Sequence, residues 1–186
     1  MRRGRSAGIA AKPQSTAMTG ITIARASMDD VPFIMATERT DGYDAFVGRW
    51  DEARHLAALG DDHYAYFLAR GAGRPVGFTI VRDWASPERA TCVKRIIVSS
   101  PGNGIGRRLL HAVVDTIFHE TDAHRVWLGV FPENARARRT YEAIGFKAEG
   151  VARGSAFFGG VHRDELIMSV LRPEWPAGGD LARGKT

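Results

Sequence analysis

The segment 91–131 constrains the fold more than any other part of the sequence, because it places a strongly amphipathic helix between two apolar runs. From residue 109 to residue 118, apolar side chains occur at offsets 0, 1, 4, 5, 8 and 9, which puts them on one buried face of an α-helix. The flanking runs, 91–98 and 125–131, are typical of strands. Two strands joined by a helix predict a parallel, right-handed crossover. The run 125–131 is apolar on both sides, which predicts a central strand covered on both faces.

The segments outside this unit predict antiparallel strands. Apolar runs at 63–69 and 76–81 enclose a loop of hairpin composition, and runs at 146–158 and 162–171 enclose a Gly-Gly turn. Further predicted elements are a strand at 21–25, a helix capped at Ser27, a helix at 50–59 and a helix at 135–144 that Gly145 ends. We therefore predict an α/β (α+β) fold with a mixed, mostly antiparallel sheet of six to seven strands, one parallel crossover and about four flanking helices.

A chain of 186 residues has the length of one domain. Residues 1–20 contain four of the 26 basic side chains and none of the 21 acidic ones, so the rest of the chain is nearly neutral despite the net charge of +5. We predict a disordered basic arm at 1–20, a single domain at 21–175 and a flexible tail at 176–186. The neutral body argues against a nucleic-acid or membrane partner, with an electrostatic tether as the alternative role for the arm.

Cysteine content and hydropathy indicate the cellular compartment in which the protein works. The single cysteine, Cys92, excludes an internal disulfide and has no cysteine or histidine neighbour at the spacing of a metal site. No run approaches the roughly 20 apolar residues of a membrane helix, and the arginine-rich start lacks the apolar core of a secretory signal. We expect a cytoplasmic protein that holds no metal.

Residues 102–107 form a glycine-rich segment between the strand 91–98 and the amphipathic helix. Glycine permits backbone conformations that turn consecutive N–H groups toward one point, and the positive end of the helix adds attraction for an anion. We interpret the segment as an anion-binding loop, with a tight turn as the alternative. No Gly-Lys-Ser/Thr sequence follows, and an antiparallel hairpin precedes it, which argues against nucleoside-triphosphate and dinucleotide loops. The segment consists of Gly102, Asn103, Gly104, Ile105, Gly106 and Arg107.

A second motif follows the strand 125–131. Asn134 stands where it would cap the next helix, Tyr141 lies two turns further along, and Gly145 and Phe146 follow. Together with the glycine-rich loop, this motif resembles the GNAT superfamily of acyl-CoA N-acyltransferases over about residues 21–172. The last two strands are similar to the ribosomal-protein, polyamine and small-amine acetyltransferase branch. The residues that carry this second similarity are Glu149, Gly150, Arg153, Gly160, Asp164, Met168 and Ser169.

The resemblance implies acetyl-CoA as cosubstrate and assigns roles to both motifs. It implies that residues 102–107 hold the pyrophosphate, that Asn134 meets the pantetheine or acetyl region, and that Tyr141 protonates the leaving thiolate. Such general-acid help contributes about 10² to 10⁴ in rate. A helix cap and a packed aromatic are the alternatives for Asn134 and Tyr141. The resemblance also implies that one stretch of backbone lies along the pantetheine arm and the thioester, and this stretch is Ile96, Ile97 and Val98. The arginines that could neutralise the phosphates are Arg107, Arg108, Arg136, Arg138 and Arg139.

The sequence departs from the family pattern at two places. Pro101 precedes the loop where the family usually has Gln or Arg, and the strand before the loop offers Lys94 and Arg95 where many members carry a glutamate base. The general base is therefore unassigned, and a water chain is an alternative to a side chain. The candidates are Glu38, Asp41, Asp44, Glu133 and His162.

The acceptor amine is the least determined part. Glu38 and Asp41 belong to an acidic segment where the family usually places its acceptor, which would suit a cationic amine. Trp50 lies among aromatic residues that could line an apolar pocket instead. We predict direct acetyl transfer from acetyl-CoA to a primary amine: a small amine or polyamine, an aminoglycoside-like drug or a protein N-terminus. A catalytically idle acyl-CoA-binding module is the alternative, and a homodimer stays open.

Overall fold

The computed structural model describes residues 20–176, which fold around one seven-stranded sheet. The predicted basic arm and flexible tail lie outside the described residues, apart from residues 20 and 176. The elements are β1 (Ile21–Arg25), α1 (Val31–Glu38), α2 (Glu52–Leu59), β2 (Tyr64–Gly71), β3 (Arg74–Arg82), β4 (Ala90–Val98), α3 (Ile105–Glu120), β5 (Arg125–Val130), α4 (Ala135–Glu142), β6 (Lys147–Phe158) and β7 (Val161–Leu171), with short 3₁₀ turns at Met28–Asp30 and Arg172–Glu174.

The strand order is β1-β2-β3-β4-β5-β7-β6, and all neighbours are antiparallel except β4 and β5. The helix α3 connects this parallel pair, as the periodicity of residues 109–118 predicts. Gly159 and Gly160, with φ of 60° and 81°, form the tight turn between β6 and β7. The predicted fold class is confirmed.

Two apolar cores cover the two faces of the sheet. Buried residues of α3 and α4 form one core with alternate residues of β5 and β7, and we call this side the α3 face. Ile34 of α1, Ala58 of α2 and the segment between these helices form the second core with β2, β3 and β4, and we call this side the α1–α2 face. Such a three-layer arrangement buries the apolar stripe of each helix against the sheet.

The prediction that β5 is covered on both faces is wrong. The strand lies inside the sheet, but its residues alternate between buried and half-buried. Val126, Leu128 and Val130 enter the α3-face core, whereas Trp127 and Gly129 point to the opposite side and stay partly accessible. The apolar character of Trp127 suits a ring that packs against Arg82 and Arg125, whose guanidinium carbons lie 5.7 and 5.6 Å from it.

No helix within residues 20–176 has the length and apolar character that crossing a membrane requires. In the same range, no group of three or more His, Cys, Asp or Glu side chains is arranged to hold a metal ion.

Candidate active site

The parallel strands β4 and β5 separate after a short ladder. They pair at Ala90–Arg125, Thr91–Val126 and Cys92–Trp127, and the register contains no later pair in the described region. Beyond this point a cleft of about 810 Å³ opens between residues 93–98 of β4 and residues 128–131. Backbone groups on its walls lack a strand partner, and buried backbone groups of this kind require another hydrogen-bonding partner. The cleft is therefore suited to an extended ligand that carries amides.

The β4 wall contains the three residues predicted to face the cofactor. Ser99 donates its backbone N–H to the Val76 carbonyl of β3 at 2.9 Å. Because hydrogen-bonding direction alternates along an antiparallel strand, Ile96 and Val98 turn their backbone groups away from β3. The Tyr43 hydroxyl donates to the Val98 carbonyl at 2.7 Å, which agrees with this direction. Ile96 and Val98 are half-buried and Ile97 is buried, and all three line the cleft.

The glycine-rich loop lies at one mouth of the cleft. Gly102 and Gly104 have φ of 98° and 70°, a region that other residues rarely adopt, and Gly104 is the N-cap of α3. The first N–H groups of α3 have no partner within the helix, so they are free to meet an anion. The structure brings the predicted loop residues except Asn103 to the cleft wall.

The helix α4 supplies the opposite wall. Asn134 caps it by accepting a hydrogen bond from the Ala137 N–H at 3.2 Å, and also lines the cleft. Tyr141 is buried and lines the cleft, and burial raises the pKa of its phenol to about 12. Arg138 does not line the cleft, because its side chain turns back to donate to the Pro132 carbonyl at 3.1 Å. Arg136 and Arg139 lie on the wall in its place.

The end of the cleft on the α1–α2 face is aromatic. The rings of Phe46 and Phe131 lie 6.4 Å apart, and those of Phe131 and Phe158 lie 5.5 Å apart. Trp50 is buried in the wall, and the Arg54 guanidinium stacks over it at 4.1 Å. The cationic side chains that line this end are Arg49, Arg54, Lys94 and Arg95.

The structure does not place Glu38 and Asp41 on the cleft wall, in contrast to the expectation for an acceptor site. Glu38 is fully buried, where it forms an ion pair with Arg95, lies 3.4 Å from His55 Nε2 and accepts the Trp50 N–H at 3.2 Å. Through these contacts, the Glu38 carboxylate holds the segment 39–50 against β4. Asp41 is exposed in the turn after α1.

The other candidates for a general base also have structural partners. Asp44 pairs with Arg49, and Glu133 pairs with Arg163. His162 Nδ1 lies 3.1 Å from the Gly154 carbonyl. None of the three candidates lies on the cleft wall.

Glu165 of β7 was not singled out by sequence reasoning, yet it lines the cleft. Its carboxylate lies over Gly129 of β5, where a Cβ atom would come within 2.6 Å of Glu165 Oε1. An isolated glycine within an otherwise apolar strand is a sign of such a close approach. Gly129 was therefore the signal in the sequence that could have indicated a side chain arriving from a neighbouring strand.

Comparisons with known proteins agree with this architecture. The model of the Acetyltransferase (GNAT) family matches residues 32–146. The probable N-acetyltransferase YjcK of Bacillus subtilis is 38% identical over 73 residues, which are 39% of this chain and 40% of YjcK. An uncharacterized N-acetyltransferase of Mycobacterium tuberculosis is 31% identical over 116 residues, 62% of this chain and 72% of that protein.

Solved structures share the fold, among them two N-acetyltransferases. Spermidine N-acetyltransferase from Vibrio cholerae in complex with CoA and spermine aligns with a TM-score of 0.72 at 22% identity, over 83% of this chain and 96% of that one. The ribosomal-protein-S18-alanine N-acetyltransferase from Escherichia coli aligns with a TM-score of 0.67 at 23% identity, over 88% and 100%. At this level of identity the likeness extends to the fold alone.

Proposed function

Because this chain belongs to the GNAT family of acetyltransferases, we propose that it transfers an acetyl group from acetyl-CoA to a primary amine by direct attack on the thioester. The observation that carries the proposal is the cleft between β4 and β5, which joins an anion-binding loop at one mouth to the buried phenol of Tyr141 in its wall. Acetyl-CoA has a charged pyrophosphate, an arm with amides and a thioester, and these parts match the loop, the β4 backbone and the Tyr141 phenol along the cleft.

The glycine-rich loop and β4 would bind the cosubstrate. The free N–H groups at the start of α3, with Arg107 beside them, suit the pyrophosphate. The backbone of Ile96 and Val98 suits the amides of the pantetheine arm in the manner of an added strand. Burial raises the pKa of Tyr43, so its hydroxyl stays protonated and holds the Val98 carbonyl in place.

Tyr141 would act as the general acid. The amine nitrogen attacks the thioester carbonyl carbon, the C–N bond forms and the C–S bond breaks. The departing thiolate then takes the proton of the Tyr141 hydroxyl, and the proton that the nitrogen loses on becoming an amide restores the phenol. Because burial raises the pKa of Tyr141 to about 12, the phenol keeps its proton at neutral pH and is present as an O–H donor when the sulfur departs.

Cys92 supports direct transfer by its position. The residue is buried at the closed end of the cleft, in the ladder with Trp127, and burial raises the pKa of its thiol. A neutral, enclosed thiol is a poor acyl carrier, since the thiolate is the nucleophile.

The charges at the α1–α2 end of the cleft favour acceptors that carry a single positive charge. Arg49 and Arg95 are neutralised by ion pairs with acidic side chains, whereas Arg54 and Lys94 have no ion pair within residues 20–176. Glu165 is the single carboxylate on the wall described by the structure. One carboxylate facing two unpaired cations favours a peptide N-terminus or a small monoamine over a polyamine with several positive charges.

The test is release of free thiol from acetyl-CoA in the presence of short peptides, monoamines, polyamines and aminoglycosides. We expect turnover that depends on the amine, and a decrease in kcat of about 10² to 10⁴ for Tyr141→Phe. Tyr64→Phe is the matched control, because Tyr64 lies on β2 and its side chain does not line the cleft. Binding of acetyl-CoA without turnover with any amine would instead support an idle acyl-CoA-binding module, and absence of binding would refute the assignment of the loop.

A further inference from the structure

Glu165 and Gly129 lie on the same face of the sheet. In the β5–β7 ladder, Gly129 pairs with Ile167 and Val130 with Leu166. Because side chains alternate between the faces of a sheet, Glu165, two residues from Ile167, points to the side of Gly129. Met168 points the other way into the α3-face core. Glu165 therefore belongs to the α1–α2 side of the cleft, opposite the helix that begins at the glycine-rich loop.

The carboxylate of Glu165 fills the space that a side chain at position 129 would take. A Cβ atom built on Gly129 would lie 2.6 Å from Glu165 Oε1 and 2.8 Å from its Cδ. Real Cβ atoms do not approach other atoms so closely, so the position of this carboxylate depends on the glycine. The carboxylate thus lies against β5 beyond Trp127, where that strand has already separated from β4.

The carboxylate is positioned but not neutralised. Ser155 of β6 donates its hydroxyl to Glu165 Oε2 at 2.8 Å, and Glu165 has no ion pair among the residues that the structure describes. It is half-buried, so it is accessible from the cleft. The charged side chains that line the same end of the cleft are Arg49, Arg54, Lys94 and Arg95. Arg163, two residues from Glu165 on β7, stacks over the Phe131 ring at 3.7 Å and is paired with Glu133.

We propose that Glu165 is the catalytic residue that removes the proton from the acceptor ammonium, an inference that rests on the proposed acetyl transfer. The ammonium gives one proton to Glu165 Oε1, which leaves a neutral amine with a free electron pair. That pair forms the C–N bond as the C–S bond breaks, and the thiolate takes a proton from Tyr141. The second proton that the nitrogen loses on becoming an amide restores the Tyr141 phenol. Glu165 then returns its proton to water, so one proton is released for each acetyl group transferred.

The first test compares Glu165→Gln with Glu149→Gln. Both residues accept a hydrogen bond from a serine across the β6–β7 ladder, but Glu149 lies outside the cleft and pairs with Arg125. We expect Glu165→Gln to lower kcat/KM by about 10² to 10⁴, and Glu149→Gln to stay near the wild type. We also expect the loss to shrink at high pH, where the amine is already neutral; a purely structural role would not change the pH profile.

The second test uses Gly129→Ala, which would push the Glu165 carboxylate aside at little cost to the fold, since the displaced atoms are the end of a flexible side chain. Misplacement of about 1 Å costs up to about 100-fold in rate. We expect a loss of this order in the wild-type background and no additional loss in the Glu165→Gln background, because the glycine acts through the carboxylate. Glu165→Asp should retain part of the activity.

The outcomes separate this inference from the proposed function. If the wild type acetylates an amine and Glu165→Gln matches Glu149→Gln in kcat/KM and in pH profile, the role of Glu165 is refuted and the proposed function stands. If Gly129→Ala and Glu165→Gln lower the rate additively, the positional argument fails. If the wild type turns over no amine at any pH, both the proposed function and this inference are wrong.

Discussion

Replacement of Glu38 by glutamine should destabilise the protein strongly although the volume of the side chain is unchanged. Glu38 is fully buried and does not line the cleft, and its carboxylate is the counter-ion of Arg95, which is 8% exposed. Glutamine leaves this guanidinium buried and charged without a partner. Breaking one side of a buried ion pair costs about 3 to 5 kcal/mol, so we expect the free energy of unfolding to fall by that amount.

The measurement is urea unfolding followed by far-ultraviolet circular dichroism, with Asp44→Asn as the matched control. Asp44 pairs with Arg49, and both side chains are exposed, so its loss should cost about 0 to 1 kcal/mol. For a domain of this size, the Glu38→Gln loss corresponds to a decrease in Tm of roughly 6 to 20 °C. A second replacement, Arg95→Met, should recover much of the stability because it removes the uncompensated charge.

Acid titration gives an independent check on the same cluster. Burial opposes ionisation of Glu38, but the contacts with His55, Arg95 and the Trp50 N–H outweigh it, so the pKa of Glu38 lies below the value of 4.5 expected in the unfolded chain. A carboxyl with a lowered folded-state pKa contributes stability above its unfolded pKa and loses it as the pH falls through the folded value. Glu38→Gln should lack this dependence below pH 4.5. Equal stability losses for Glu38→Gln and Asp44→Asn would refute the reasoning.

Two further predictions concern glycines that position the site. Gly77→Ala should destabilise the protein by about 1 to 3 kcal/mol in urea unfolding, because the new Cβ would lie 2.8 Å from the Ile97 carbonyl of β4, and backbone cannot move aside as a side chain can. Gly104→Ala should cost about 1 to 2 kcal/mol, since its φ of 70° is left-handed, and should raise KM for acetyl-CoA through distortion of the loop; an unchanged KM would refute the loop's role.

Local patterns were sufficient to predict most of the fold. The spacing of apolar residues in α3 predicted both the helix and its buried face. The helix α4 ends at Glu142 rather than at the predicted residue 144, and Gly145, with φ of 103°, lies in the turn that follows it. The hairpin loops were predictable from their glycine residues. The accessible side of β5 was not predictable from apolarity, because Trp127 is apolar in composition but packs on arginine side chains rather than inside a core.

The positions of the cleft residues were predictable where loop and strand geometry determine them, and less so for charged side chains. Gly104 and Val98 reach the cleft because loop and strand geometry place them there. Arg138 was expected beside them, but the helical position alone did not determine that its long side chain turns to the Pro132 carbonyl. Glu38 could not be distinguished by sequence from an exposed acid, since its burial depends on Arg95, which lies 57 residues away in the chain.

A bulge in β4 accounts for the cationic character of the β4 wall of the cleft. Ile80 of β3 pairs with Arg95 and Val81 pairs with Val93, so Lys94 is the extra residue of the bulge. The bulge turns Arg95 toward Glu38 and leaves Lys94 exposed on the cleft wall, which makes the β4 wall cationic. An ammonium between the walls is attracted by Glu165 and repelled by Lys94, and a nearby positive charge favours loss of its proton. In the proposed reaction, this charge arrangement would favour the neutral form of the acceptor amine, which attack on a thioester requires.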